Sequence, residues 1–166
     1  YHGAKALCAS DLLKAVLLAF LLLSSSTIYI KISESFQQYS NGSWLFSAPD
    51  AADTYIPQNH NMGPFGIMAL SFIFSLSVAY REELLYRLYI VGSMRERGLG
   101  SFFSVLLSSC IFAMGHGYQG MGGFASAFVA GLICATAYQL GYGLHALAIG
   151  HGLYNFFILL SVFGVF

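Results

Sequence analysis

The sequence predicts an all-α, polytopic membrane helix bundle with about five transmembrane helices. Two observations carry that prediction. The 166 residues are 57% hydrophobic and only 8% charged, where a soluble domain carries about 25% charged residues; mean hydropathy is +0.69. The apolar residues also gather into runs close to the ~20 residues that cross a bilayer. Such a chain cannot cover a globule with polar surface, so lipid is its solvent and a multi-pass integral membrane location follows. Lys plus Arg and Asp plus Glu number seven each, and this balance leaves no field to attract nucleic acid. The length fits one membrane-embedded domain over residues 1–166.

The first apolar segment runs from Leu12 to Ile30, with Asp11 and Lys14 at its start. It lacks a small-x-small cleavage site after the run and is read as a retained helix rather than a signal peptide. The chain opens on Tyr1 rather than Met, and we read it as a fragment of a larger bundle with helices upstream. Residues 31–64 form the one long polar stretch and hold all three prolines, Pro49, Pro57 and Pro64. This stretch is expected to be a loop with its Trp44, Phe46 and Tyr55 at the bilayer interface. The Asn41–Ser43 sequon carries little weight. Lys5 and Lys14 on one side, and Arg95 and Arg97 after the second segment, place the loop on the non-cytoplasmic face by the positive-inside rule.

Four further segments make up the core of the chain, residues 65–166. They run from Phe65 to Met94, Ser101 to Gly115, Gly123 to Leu140 and Gly143 to Val165. The Ser101–Gly115 segment is short for a crossing. In the Gly123–Leu140 segment, Ala127, Gly131 and Ala135 recur four apart, a small-residue stripe that lets helices approach closely. Cys8, Cys110 and Cys134 are scattered, and are expected to be free thiols with no disulfide framework.

The second segment contains an anomaly. Arg81, Glu82, Glu83 and Arg87 lie inside it, although the whole chain has only fourteen such charges. A charged side chain at the bilayer centre costs ~2.5–3.5 kcal/mol on insertion scales. Four unpaired charges would cost on the order of 10 kcal/mol, which rivals the stability of a domain. They must be paired or face a wet cavity. On an α-helix Glu83 and Arg87 are four apart with the acid N-terminal, the favourable order for a pair. Glu82 is turned ~100° away and has Leu85 and Tyr86 where a cation partner would stand. It is therefore the carboxylate left free to act as a base. The alternative is that all four charges form one ion network that holds helices together.

Other segments each carry a polar group that lipid disfavours. His116 ends the third, and His151 and Asn155 share a helix face in the fifth. His145 points elsewhere, ~120° from His151, and is not placed with them. Depth along the helices allows Glu82, His116, His151 and Asn155 to meet in one interior cavity. A carboxylate beside an imidazole can deprotonate water, and an imidazole with an amide can hold an oxyanion. The same carboxylate and two histidines are an alternative zinc set, although no H-E-x-x-H is present.

Glu82 to Arg87 matches E-E-x-x-x-R, Phe112 to His116 matches F-x-x-x-H, and His151 to Asn155 matches H-x-x-x-N. In this order on apolar segments, the three motifs resemble those of the CAAX-protease and bacteriocin-processing (CPBP, or Abi) family of intramembrane endopeptidases. The resemblance implies that Glu82 is the base activating water, assisted by His116. It implies further that His151 and Asn155 bind the oxyanion, and that Glu83 and Arg87 support the site. It also implies a protein or peptide substrate, either a prenylated C-terminal peptide or a bacteriocin or leader peptide, and no cofactor. A zinc-dependent membrane protease, a non-enzymatic self-immunity or adaptor protein and a proton-coupled transporter are the competing readings. The chain departs from the family pattern in having fewer helices and in placing His145 where an apolar residue is common.

Overall fold

The computed structural model describes residues 8–39 and 63–163. Helix α1 (Ala9–Tyr39) is followed by α2 (Pro64–Glu82), which runs on without a break as a π-helix over Glu83–Val91 and a final α-helical turn, α3 (Gly92–Glu96). Then come α4 (Ser101–Gly115), a 3₁₀ turn at Gly117–Gln119, α5 (Gly120–Gln139) and α6 (Leu144–Val162). Among the described residues four apolar rods are long enough to cross a membrane, and α4 is a shorter apolar helix. The expected helical membrane bundle is therefore what the chain forms. Helix α1 continues to Tyr39, into the stretch expected to be loop. The sequon and Trp44, Phe46, Pro49, Tyr55 and Pro57 lie outside the described residues.

Local chemistry sets the boundaries. Gly63 is extended and Pro64 opens α2, a position where the missing N–H of proline costs nothing. Two turns close by the same device. Gly98 and Gly141 have φ of 85° and 87°, a region that only glycine enters freely. Around them Gly98 N–H bonds to Arg95 C=O and Leu99 N–H to Met94 C=O, and Gly141 N–H bonds to Tyr138 C=O and Tyr142 N–H to Ala137 C=O. This paired pattern satisfies carbonyls left over at a helix end.

The outside of the bundle is apolar, and charged and polar side chains are buried within it among apolar ones. Phe20, Phe65, Ile73 and Phe102 are exposed, while Glu83, Arg87, Ser104, Ser108, Ser109 and His151 are buried. That inversion is the one expected where lipid replaces water. Small residues let the helices touch. A Cβ on Gly131 would sit 3.1 Å from the Ser109 Cα, so α5 lies directly on α4. The small-residue stripe predicted from sequence has this job: Ala127, Gly131 and Ala135 are all buried.

Glycines flank His151 on α6 and face different neighbours. A Cβ on Gly150 would meet the Ala15 carbonyl oxygen at 2.6 Å, and one on Gly152 would meet Leu76 Cα at 3.2 Å. Helix α6 is thus clasped by α1 and α2 at the level of His151. Overpacking a filled interior costs typically 1–3 kcal/mol, and a backbone oxygen cannot swing aside. Gly150→Ala is expected to lower stability by about 2–3 kcal/mol, read as thermal unfolding of the detergent-solubilised protein. An unchanged melting temperature would refute this clasp.

Candidate functional site

The buried charges lie where α2 passes into its π-helical stretch. The Gly92 amide bonds to Arg87 C=O, five residues back, so the chain is wound more loosely here than an α-helix. Such wide turns need help with their carbonyls in a membrane, and Ser108 on α4 gives its hydroxyl hydrogen to Tyr86 C=O at 3.0 Å. Glu83, Arg87 and Val91 form the buried face of the stretch.

Glu83 is wholly buried and is held from several sides. Its Oε2 lies 3.2 Å from Arg87 Nε, the expected i,i+4 pair. The two are close without an aligned hydrogen bond. Its Oε1 accepts from His151 Nδ1 at 2.8 Å. Cys134 on α5 brings its sulfur into the same group: the ligand-capable atoms of Glu83, Cys134 and His151 lie within 4.8 Å of one another. The Arg87 guanidinium packs over the Phe112 ring at 4.7 Å, and its Nη2 donates to Gly131 C=O at 3.5 Å.

Glu82 sits at the edge of this cluster and is only 9% exposed. Its neighbours are looser. Arg81, which the sequence left without a role, comes to 3.8 Å of Oε1 from an exposed position. His151 Nε2 stands 3.8 Å from Oε2. The two glutamates therefore bracket one imidazole, a meeting that helical-wheel geometry, which turns Glu82 away from Glu83, does not reveal.

His116 occupies the C-cap of α4. Its Nδ1 lies 2.9 Å from Phe112 C=O. A carbonyl can only accept, so Nδ1 carries the hydrogen and Nε2 of the neutral ring is the free acceptor. The imidazole packs on Phe112 at 4.5 Å, and the same Phe112 ring touches His151 at 6.1 Å. His116 is thus one aromatic ring away from the glutamate cluster. Asn155 lies a turn beyond His151 on α6, partly buried. Among the described residues neither His116 nor Asn155 contacts a glutamate directly. His145 is separate, bonded to Tyr80 Oη at 2.9 Å, as its angular position on the helix predicted.

With this geometry in place, comparison with known proteins is informative. A family model described as type II CAAX prenyl endopeptidase Rce1-like matches residues 64–157. The chain belongs to the CAAX-protease (CPBP, or Abi) family. No curated protein and no solved structure matches it. The family segment of this CAAX-protease chain begins at the first residue of α2 and takes in all three motifs. Helix α1 falls outside it and still packs into the site's surroundings: Ser26 and Tyr154 hydroxyls meet at 2.8 Å, and Tyr154 rests against His151 with ring centroids 6.3 Å apart.

Two participants escaped the sequence reading. Cys134 was read as an ordinary buried thiol, yet it belongs to the Glu83–His151 group; its one sequence signal is its place a turn from Gly131 and Ala130 on the close-packed face of α5. The Gly150-His151-Gly152 triplet went unread too, although two small residues around a buried histidine mark a close helix crossing. The glutamate, cysteine and histidine cluster is consistent with a catalytic site of this family. Its donor atoms could also coordinate a metal ion, in competition with Arg87 for the Glu83 carboxylate and with the bond from His151 Nδ1 to that carboxylate. Among the described residues, Glu82, His116 and His151 do not close into a ligand set.

Proposed function

We propose that the chain is an intramembrane endopeptidase that hydrolyses peptide bonds with water activated by Glu82 and His116, without a metal ion. The observation that carries this reading is the division of labour between adjacent glutamates. Glu83 is committed to Arg87 and to His151 Nδ1. Among the described residues Glu82 has no ion-pair or hydrogen-bond partner closer than 3.8 Å, which leaves its oxygens open to a water. His116, its Nδ1 bonded to Phe112 C=O, is assigned to share the water's proton through Nε2. His151, its Nδ1–H given to Glu83, donates from Nε2 to the oxyanion that forms as water adds when the ring is doubly protonated, and Asn155 donates from its amide. Arg87 and Glu83 fix the imidazole and do not touch the reacting atoms. The substrate is a protein or peptide whose scissile bond enters the membrane, either a prenylated C-terminal peptide or a bacteriocin or leader peptide.

The test is cleavage by the purified protein in vesicles. A prenylated C-terminal peptide and a leader-type peptide are supplied separately, with metal analysis of the same preparation. Cleavage of one of them, unaffected by chelator, is the expected result. Stoichiometric zinc with chelator-sensitive cleavage would transfer the activity to a metal mechanism. No cleavage of either peptide, with cellular self-immunity intact in Glu82→Gln, would establish the non-enzymatic reading instead.

A further inference from the structure

An apolar groove of about 310 Å³ opens on the outer face of the bundle between α1 and α5. It lies apart from the glutamates. Leu18 and Ala137 form its buried floor with Ile133 beside them, and Leu21, Thr136 and Leu140 form its rim. The two helices run antiparallel here, so the groove follows the membrane normal for about 12 Å, from Tyr142 at one end to Leu132 at the other. At the Tyr142 end the Lys14 ammonium rests over the tyrosine ring, 5.4 Å from its centroid.

Lys14 is unusual for this chain. It is half-buried at the end of a membrane rod, and among the described residues no carboxylate lies within ion-pair distance of it. The nearest acid in sequence, Asp11, is turned back to the helix start, where it accepts from Cys8 N–H at 3.1 Å and from the Cys8 thiol at 3.0 Å. The Asp11 carboxylate lies within electrostatic reach of Lys14 but outside ion-pair distance, so the ammonium keeps room for a second anion; above an apolar slot, a phosphate carrying an acyl chain matches that chemistry.

We propose that this groove is a site for one anionic phospholipid, drawn from the leaflet on the Lys14 side. Its phosphate meets Lys14, and one acyl chain lies along Leu18, Ile133 and Ala137. The site has a route to the rest of the protein. Leu18 and Ala137 belong to the same packed cluster as Cys134 and Leu147, so an occupied groove braces the back of the helix that carries Cys134.

The experiment is native mass spectrometry of the full chain released from micelles holding equal amounts of dioleoyl phosphatidylglycerol and dioleoyl phosphatidylcholine. One retained lipid is expected, with phosphatidylglycerol favoured about fivefold, the preference a single surface lysine confers. Lys14→Gln should keep a lipid and lose the preference. Thr136→Trp, at an exposed rim position, should fill the slot and lose the lipid while its melting temperature in micelles stays at the wild-type value. Equal retention of the two lipids by the wild type, a preference that survives Lys14→Gln, or a dimer with no bound lipid would each overturn the proposal.

Discussion

Glu82→Gln is expected to lower kcat on a cleaved peptide by about 10²–10⁴-fold, the usual contribution of a positioned general base, with KM nearly unchanged. The substitution keeps shape and hydrogen-bonding capacity but removes the charge that draws a proton from water. It should not unfold the bundle. Glu82 stands at the cluster's edge, and its two charged neighbours are both beyond direct hydrogen-bond distance at 3.8 Å. The melting temperature should therefore stay within a few degrees of wild type, which separates lost chemistry from lost structure. A variant that folds, inserts and cleaves at the wild-type rate would remove Glu82 from the mechanism. A fall in kcat/KM confined to KM would instead assign it to substrate binding.

Much of this arrangement was legible in the sequence, because membrane solvation makes polar residues conspicuous. Helix ends follow from glycine, proline and the limits of apolar runs, and Ser101–Gly115 has the bounds the sequence suggested. The Glu83–Arg87 pair follows from spacing alone, since four residues bring side chains together on an α-helix and nearly so on the wider π-helix. The meeting of Glu82 and Glu83 at one imidazole was harder to read. Wheel geometry separates Glu82 from Glu83 by ~100°, but both side chains are long enough to reach one imidazole delivered by a third element, and no pattern within a single helix encodes where that element passes. Cys134 was opaque for the same reason. A buried thiol packs like any small apolar residue until a carboxylate from another helix arrives beside it. His116 and His151 both pack against Phe112. The F-x-x-x-H spacing names that ring without revealing that it touches both imidazoles and the Arg87 guanidinium.

Arg87→Met is expected to cost about 3–5 kcal/mol of stability, the usual penalty for removing one partner of a buried pair. Arg87 is 1% exposed and Glu83 is fully buried, so water cannot replace the lost charge. Methionine keeps much of the apolar stem, so the loss is that of the guanidinium, with its approach to Glu83 and its packing over Phe112. The decisive comparison is a double-mutant cycle read by thermal unfolding in micelles. Glu83→Gln alone leaves Arg87 buried without its carboxylate and should also be costly. Removing both charges restores neutrality at the centre of the bundle. The double variant should therefore be less destabilised than the two single losses combined, by 0.5–3 kcal/mol, the range seen for coupled neighbours. Simple additivity would mean that the 3.2 Å approach of Arg87 to Glu83 contributes no net stabilisation, and that the pair is held in place by the helices rather than holding them. His151 provides an internal control. It depends on Glu83 Oε1 for its orientation, so Glu83→Gln, whose amide oxygen can still accept from Nδ1, should preserve more cleavage activity than Glu83→Ala at comparable loss of stability.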